Sequence, residues 1–352
     1  MKGYKAFSKG LICRGKQYAE NNVFEENTEI CSKGMHFCKD PLDIFQYYPL
    51  VDKEGNATEF AEVEALDSAE THDGEAFCTK KLKIGPKLSL SQFIEASSDF
   101  ASQAEALDSE TLMGGNNAKL VGGIRAKLVG GTGATLVGDS HAKLVGGDCA
   151  KLVGGKVATV VGGNGATLVG DDYATVVGMY CAKLVGGDCA KLIGDAGATL
   201  VGGNYAELVG GNAATLIGGI NTKLVGGDNA ILVSGDDAIL TGNDNTKLVG
   251  GTYATLTGGC NATVVGDCGS TLVGGNNAKL VGDYATTLAG GNNAIIVGDH
   301  GSAAKGKKGS IIVLVERDGD LNIVNFKAVQ VDGEKIKEDL LYKLENGELI
   351  QV

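Results

Sequence analysis

From Glu110 to Gly309 the chain repeats an eight-residue unit, A-x-L-V-G-G-x-x, twenty-five times in one unbroken frame. Units this small cannot bury an apolar face alone, so a fixed short period sustained this long requires a solenoid in which each unit packs on its neighbours. In an extended strand, residues two apart share a face, so first-position Ala and third-position Leu point one way and second-position Thr or Lys the other. An unpaired lysine cannot be buried, which makes the Ala/Leu side the interior. The pattern assigns Leu120, Leu128, Leu144, Leu152, Leu168 and Leu184 to the core, and Lys119, Lys127, Lys143 and Lys183 to solvent. The fifth- and sixth-position glycines are expected to carry positive φ in a sharp corner, where Asn, Asp or Gly at the last two positions also fits.

The expected fold is mainly β: a parallel β-solenoid of 25 octapeptide repeats. Two octads per coil are preferred to three, since Ala and Leu fill a narrow interior whereas a triangular one usually needs larger side chains. The A-x-L strand logic resembles that of pentapeptide-repeat proteins, although the period here is eight. The fourth-position valines pose a separate question. Strict alternation turns Val121, Val129, Val145, Val153 and Val185 outward, beside Thr or Lys. Either the glycine arc starts at the valine and folds it into a corner core, which is the preferred reading, or the valines form an exposed apolar stripe. Such a stripe, the flat Thr-rich faces and the turn cysteines lead to the expectation of a homo-oligomer through solenoid faces.

Three domains are expected: a small α/β domain over 1–109, the solenoid over 110–309, and a β-rich cap over 310–352. YKAF, TEFAEVEAL and FCTKKLKI read as strands, while DPLDIFQYY and SLSQFIEASSDFASQAEAL read as helices. Asp40 can cap the first helix with Pro41 in its first turn, and Ser89 or Ser91 the second. That second helix leads into the solenoid and is expected to cover the open edge of its first coil. Beyond Gly309, alternating strands with turns at Asp332-Gly333 and Asn346-Gly347 suit a cap on the last coil.

Composition narrows the chemistry. The 352 residues carry a formal net charge of −12, against a nucleic-acid binder with a basic stripe. A DNA mimic needs a dense single-signed surface, which the second-position lysines interrupt. Nine cysteines occur without a C-x-x-C pair, and the opening MKGYKAFSKGLICRGKQ lacks the apolar run of a signal peptide. These features lead to the expectation of a reduced, cytoplasmic protein with free thiols, no membrane span and no cofactor. Cys31, His36 and Cys38 form the weak candidate for a metal site.

The repeat resembles two functional classes in part. Octads resemble bacterial ice-nucleation proteins, but their Thr-x-Thr ladders are absent here and lysine often replaces the lone threonine. GGDNAILVSGDDAILTGNDN resembles the glycine- and aspartate-rich repeats of secreted calcium-binding toxins, but those have a period of nine and a fixed aspartate. The wandering aspartates here read as turn residues.

GMHFCKDPLDIFQYYP, with CRGKQY before it and AEVEAL after it, resembles an uncharacterised domain of tailed-phage and prophage proteins. In those relatives a similar domain precedes short glycine-rich repeats and a terminal segment like VQVDGEKIKEDLLYKLENGELIQV. The resemblance implies a phage or prophage setting and no known activity. A looser similarity is to toxin-type ADP-ribosyltransferases. It implies that Arg14 would clamp phosphates, His36 or Tyr48 would orient nicotinamide, and Glu62 or Glu64 would stabilise the ribosyl cation. Cys38 and Lys39 stand where that family's Ser-Thr-Ser motif belongs. The leading expectation is a non-enzymatic phage-encoded solenoid acting as a rigid scaffold or protein-binding surface for an unknown partner. An ADP-ribosyltransferase-like domain mounted on a solenoid is the alternative, with ice binding and DNA mimicry behind it.

Overall fold

The structure, a computed structural model, describes residues 1–26, 34–52, 54–71, 75–103 and 111–352. The chain is mainly β, with a parallel β-solenoid of about 13 turns over residues 111–314 and a small N-terminal sheet domain. Two compact units, Met1–Lys183 and Leu184–Val352, divide it. The expected junction at 109–110 lies outside the described residues.

The first unit opens with β1 (Lys2–Phe7), the hairpin β2 (Ile12–Cys13) and β3 (Lys16–Gln17), β4 (Val23–Glu25), β5 (Met35–Cys38), β6 (Glu59–Ala65), β7 (Ala69–Thr71), β8 (Ala76–Thr79) and β9 (Lys81–Leu88). Seven of these strands form a sheet of order β4-β9-β6-β1-β5-β8-β7, with every pairing antiparallel. One face carries Phe7, Met35, Phe37, Val63, Phe77, Leu82 and Ile84, closed over by Leu11, Cys13 and Tyr18 of the first loop. Towards the other face Phe60 stacks on Phe93 with ring centroids 3.9 Å apart, and Phe45 meets both edge-on.

Both helix starts follow their local chemistry. Asp40 accepts the Leu42 N–H at 2.9 Å, but the segment after it is a 3-10 helix, Pro41–Gln46, rather than an α-helix. Ser89 and Gln92 cap each other reciprocally at the head of α1 (Leu90–Gln103). The helix packs against solenoid strands Lys143–Gly146 and Thr159–Gly162, where the outward Val145 and Val161 are buried. It therefore covers part of a broad face, which differs from the expected capping of the first coil's edge.

The solenoid closes one turn every 16 residues, so two octads make a coil: Lys119 pairs with Thr135, Leu120 with Leu136 and Val121 with Val137. Alternate octads build two parallel sheets. In the first unit, sheet I contains Thr111–Met113, Lys127–Val129, Lys143–Gly146, Thr159–Gly162 and Thr175–Gly178, and sheet II contains Lys119–Val121, Thr135–Val137, Lys151–Val153 and Thr167–Val169. Leu128, Leu144, Leu152 and Leu168 are fully buried, as is Leu184 at the start of the second unit. Leu120, in the first turn, is half-buried. Lys119, Lys143 and Lys183 are exposed, but Lys127 is buried, contrary to expectation. Asp40 lies 3.9 Å from Lys143 Nζ and attracts Lys127, though burial first and the Lys143 charge second outweigh it and hold the Lys127 pKa below the ordinary lysine value.

The corners differ from the sequence expectation in an instructive way. Positive φ falls on the eighth position, borne by Arg125, His141, Cys149, Val157 and Tyr173 as well as by Asn117 and Gly133. The fifth-position glycine is needed for a different reason. Continuing the alternation, it faces inward, and a Cβ at Gly162 would lie 2.5 Å from Leu168 Cδ2 and 2.8 Å from Ala166 Cβ. With that glycine inside, the valine before it must face outward. The preferred corner-core reading of the valines is thereby overturned.

In the second unit the same register continues, as in Thr199 with Thr215 and Lys191 with Glu207. First-position hydroxyls replace alanine at several buried places, each satisfied within the core. Thr246 donates to Asn243 O, Ser270 to Asp267 O and Ser310 to Gly291 O. At the far end, antiparallel strands cover both sheets. Tyr342–Glu345 pairs with Ala303–Gly306 on sheet I, and Ile323–Gln330 pairs with Ile311–Arg317 on sheet II. This is the expected β-rich cap, pinned by two bonds from the Arg317 guanidinium to Asp299, at 2.8 and 2.7 Å.

Candidate functional site

Among the described residues, chemistry beyond packing gathers in a polar cluster in the N-terminal core, at the solenoid corners and on the solenoid's outer faces. The cluster centres on Lys5, which points into the core with Phe7 and is almost fully buried. Its ammonium donates to His36 O at 2.7 Å and lies 5.7 and 5.6 Å from the ring centroids of Phe7 and Tyr18. Burial pushes its pKa below the ordinary lysine value, with Cys13 the main opposing influence. Cys13 Sγ in turn meets the Tyr48 hydroxyl at 2.6 Å. The Tyr48 phenol is pushed well above its usual range, first by burial and then by the bond to Cys13. Tyr18 is raised as well, again chiefly by burial.

The residues of the transferase-like alternative are divided by this sheet. Arg14 follows Cys13 in the loop over the core face, in a left-handed conformation (φ 49°). Tyr48 reaches the same cluster through Cys13. Glu62 and Glu64 alternate with the core residues Val63 and Ala65, so their carboxylates project from the opposite face. Register places Glu62 opposite Tyr4 and Tyr4 opposite Cys38, which puts Cys38 and His36 on the side of Glu62. His36 is half-buried, and burial, then the Lys5 and Arg14 charges, hold its pKa below the usual imidazole value. Of the weak metal set, Cys38 is buried beside His36 in β5, and Cys31 lies outside the described residues. Lys5 was missed from sequence because a lone lysine in YKAF reads as a solvated strand position.

The corner aspartates have a structural task. Asp148 Oδ1 accepts the Asn164 N–H, Asp188 the Asn204 N–H and Asp244 the Cys260 N–H, each at 2.7 Å and each from the turn 16 residues on. Asn116, Asn204 and Asn212 do the same, so amide and carboxylate are interchangeable at this position. That equivalence accounts for the wandering aspartate without a cation. Asp267, Cys268 and Asp283 bring their ligand atoms within 4.8 Å of one another. Burial and then Asp283 raise the Cys268 pKa.

The outer faces of the two sheets differ, although one octad wrote both. Sheet I's fourth-position column is buried at Val145, Val161 and Val177 in the first unit and at Ile193 and Val209 in the second. Beyond these it reads Val225, Thr241, Thr257, Val273, Ala289 and Lys305: where the face opens, polar and small residues interrupt the apolar column. Sheet II never lapses. In the first unit it reads Val121, Val137, Val153 and Val169, and in the second it is aliphatic in every turn from Val201 to Val297. Yet Ile217 is 42% exposed, Val233 37%, Val249 42% and Val281 43%. A contiguous apolar column left in water is the feature that distinguishes this molecule's surface.

Residues 1–96 match the model of a family described as a domain of unknown function (DUF7666). No curated protein and no solved structure matches the chain.

Proposed function

We propose that the chain is a non-enzymatic β-solenoid that presents sheet II as a protein-binding face. The contrast between the two columns carries this reading. Where sheet I is covered its fourth positions stay Val or Ile, and where it is open Val225 and Val273 alternate with Thr241, Thr257, Ala289 and Lys305. Sheet II keeps the sequence character of a covered face while standing open, as it would if a partner covered it. The separation of Arg14 and Tyr48 from Glu62 and Glu64 by a β-sheet favours binding over transferase chemistry. The resemblance of both chain ends to phage and prophage proteins supports a role in a phage-infected or lysogenic cytoplasm. There the N-terminal domain supplies a second contact surface.

Photo-crosslinking in cells tests this. A photoreactive residue replacing Thr215 or Thr263, at outward positions of sheet II, should give discrete polypeptide adducts. The same residue at Thr255 or Thr271, on the open part of sheet I, should not. Equal labelling from both sheets, or none from sheet II, would overturn the proposal.

A further inference from the structure

Resting on the reading of sheet II as a docking face, we infer that its occupant is a second copy of this chain, related by a two-fold axis running along the solenoid. The argument is one of self-complementarity. Across sheet II in the second unit, the valine column is flanked on one side by the second-position column, whose charged members are Lys247 and Lys279. No carboxylate occupies either outward column there. On its other side the chain turns into a corner carrying Asp236, Asp237, Asp267 and Asp283, all exposed. In the Lys279 turn the face therefore reads cation, aliphatic, anion across the columns, as Lys279, Val281 and Asp283.

A two-fold axis along the valine column inverts that order in the partner copy. Valine then meets valine, and the second-position column of each copy meets the other copy's corner, with lysine against aspartate in the Lys279 turn and Lys247 against Gly251. Because the axis runs along the solenoid, every turn faces its own equivalent. Lys279 and Asp283 belong to one octad on either side of Val281, so Lys279 of each copy faces Asp283 of the other. The spacing of successive turns is matched automatically in a second copy, whereas a foreign protein would have to imitate it over many turns. Isologous contacts of this kind close on themselves and do not propagate. Ile231 and Ile295, exposed at second positions, extend the apolar area beside the column.

Sedimentation of the full chain under reducing conditions is the test. The wild type should sediment as a dimer at tens of micromolar. The triple variant Val233→Thr, Val249→Thr, Val265→Thr keeps β-branched side chains at outward positions, so its far-ultraviolet circular dichroism should be unchanged while association weakens at least tenfold. Lys279→Asp and Asp283→Lys should each weaken self-association several-fold, and mixing the two variants should restore a heterodimer, since every facing pair is again opposite in sign. These charge variants keep the test decisive if the triple variant does not fold. A wild-type monomer whose sheet II photo-adducts hold a different polypeptide would overturn the second-copy inference and leave the docking face standing. A wild-type monomer without such adducts would overturn both. A folded triple variant that remains dimeric, or a mixture that stays monomeric, would overturn the two-fold arrangement.

Discussion

At the scale of the residue, the octad's glycines and corners answer to two different constraints. The fifth-position glycine is a steric requirement of the interior, because a methyl group would overlap the Ala and Leu of the next octad. Gly162→Ala should therefore cost about 3 kcal/mol, read as a loss of local hydrogen-exchange protection. Gly115→Ala, where an added Cβ meets nothing within 4 Å, should stay within about 0.5 kcal/mol of wild type. The eighth position is a backbone requirement. Val157 sits there at φ 59°, in a region where a β-branched residue is strained. Val157→Asn should stabilise by about 1 kcal/mol, seen as higher resistance to urea. A neutral or destabilising result would mean that the corner has relaxed around valine.

At the scale of the element, much of the solenoid was legible because alternation is a local rule. Leu128 and Leu144 inside, and Lys119 and Lys143 outside, follow from two-residue periodicity and the cost of burying charge. The fourth-position valine was misjudged because the glycine after it was expected to make a sharp positive-φ corner rather than to be a small residue the interior demands. Lys127 was misjudged because alternation places it outward and says nothing of what a distant part of the chain, such as Asp40, brings near it. The difference between the sheets was illegible in any single octad; it appears once the register separates odd from even repeats. The C-terminal cap has its own electrostatic signature. The Arg317 guanidinium first, and then the His300 N–H and nearby positive charge, hold the Asp299 carboxyl below its usual pKa against partial desolvation. This contribution to stability is full above the ordinary aspartate range and lost as pH falls through the depressed folded value. Amide protection in Ile311–Arg317 should thus fall on acidification from about pH 4 downward, and Arg317→Gln should remove most of that pH dependence. Unchanged acid sensitivity in Arg317→Gln would assign it to other carboxylates.

At the scale of the whole molecule, one outward face of the repeat retains the aliphatic character of a core. Beyond Val209 sheet I keeps Val225 and Val273 but admits Thr241, Thr257 and Lys305 between and after them. Sheet II's unbroken column is the observation on which the proposed docking face rests. The most direct measurement places one spin label per chain at Thr215, and in a second sample at Thr263, both on outward positions of sheet II in the second unit, and records the dipolar distance between copies. The account predicts one short separation, on the order of 20 Å for sheets packed face to face, with the same value at both sites because the two-fold axis follows the solenoid. No intermolecular distance at either site, or values that diverge between Thr215 and Thr263, would contradict it.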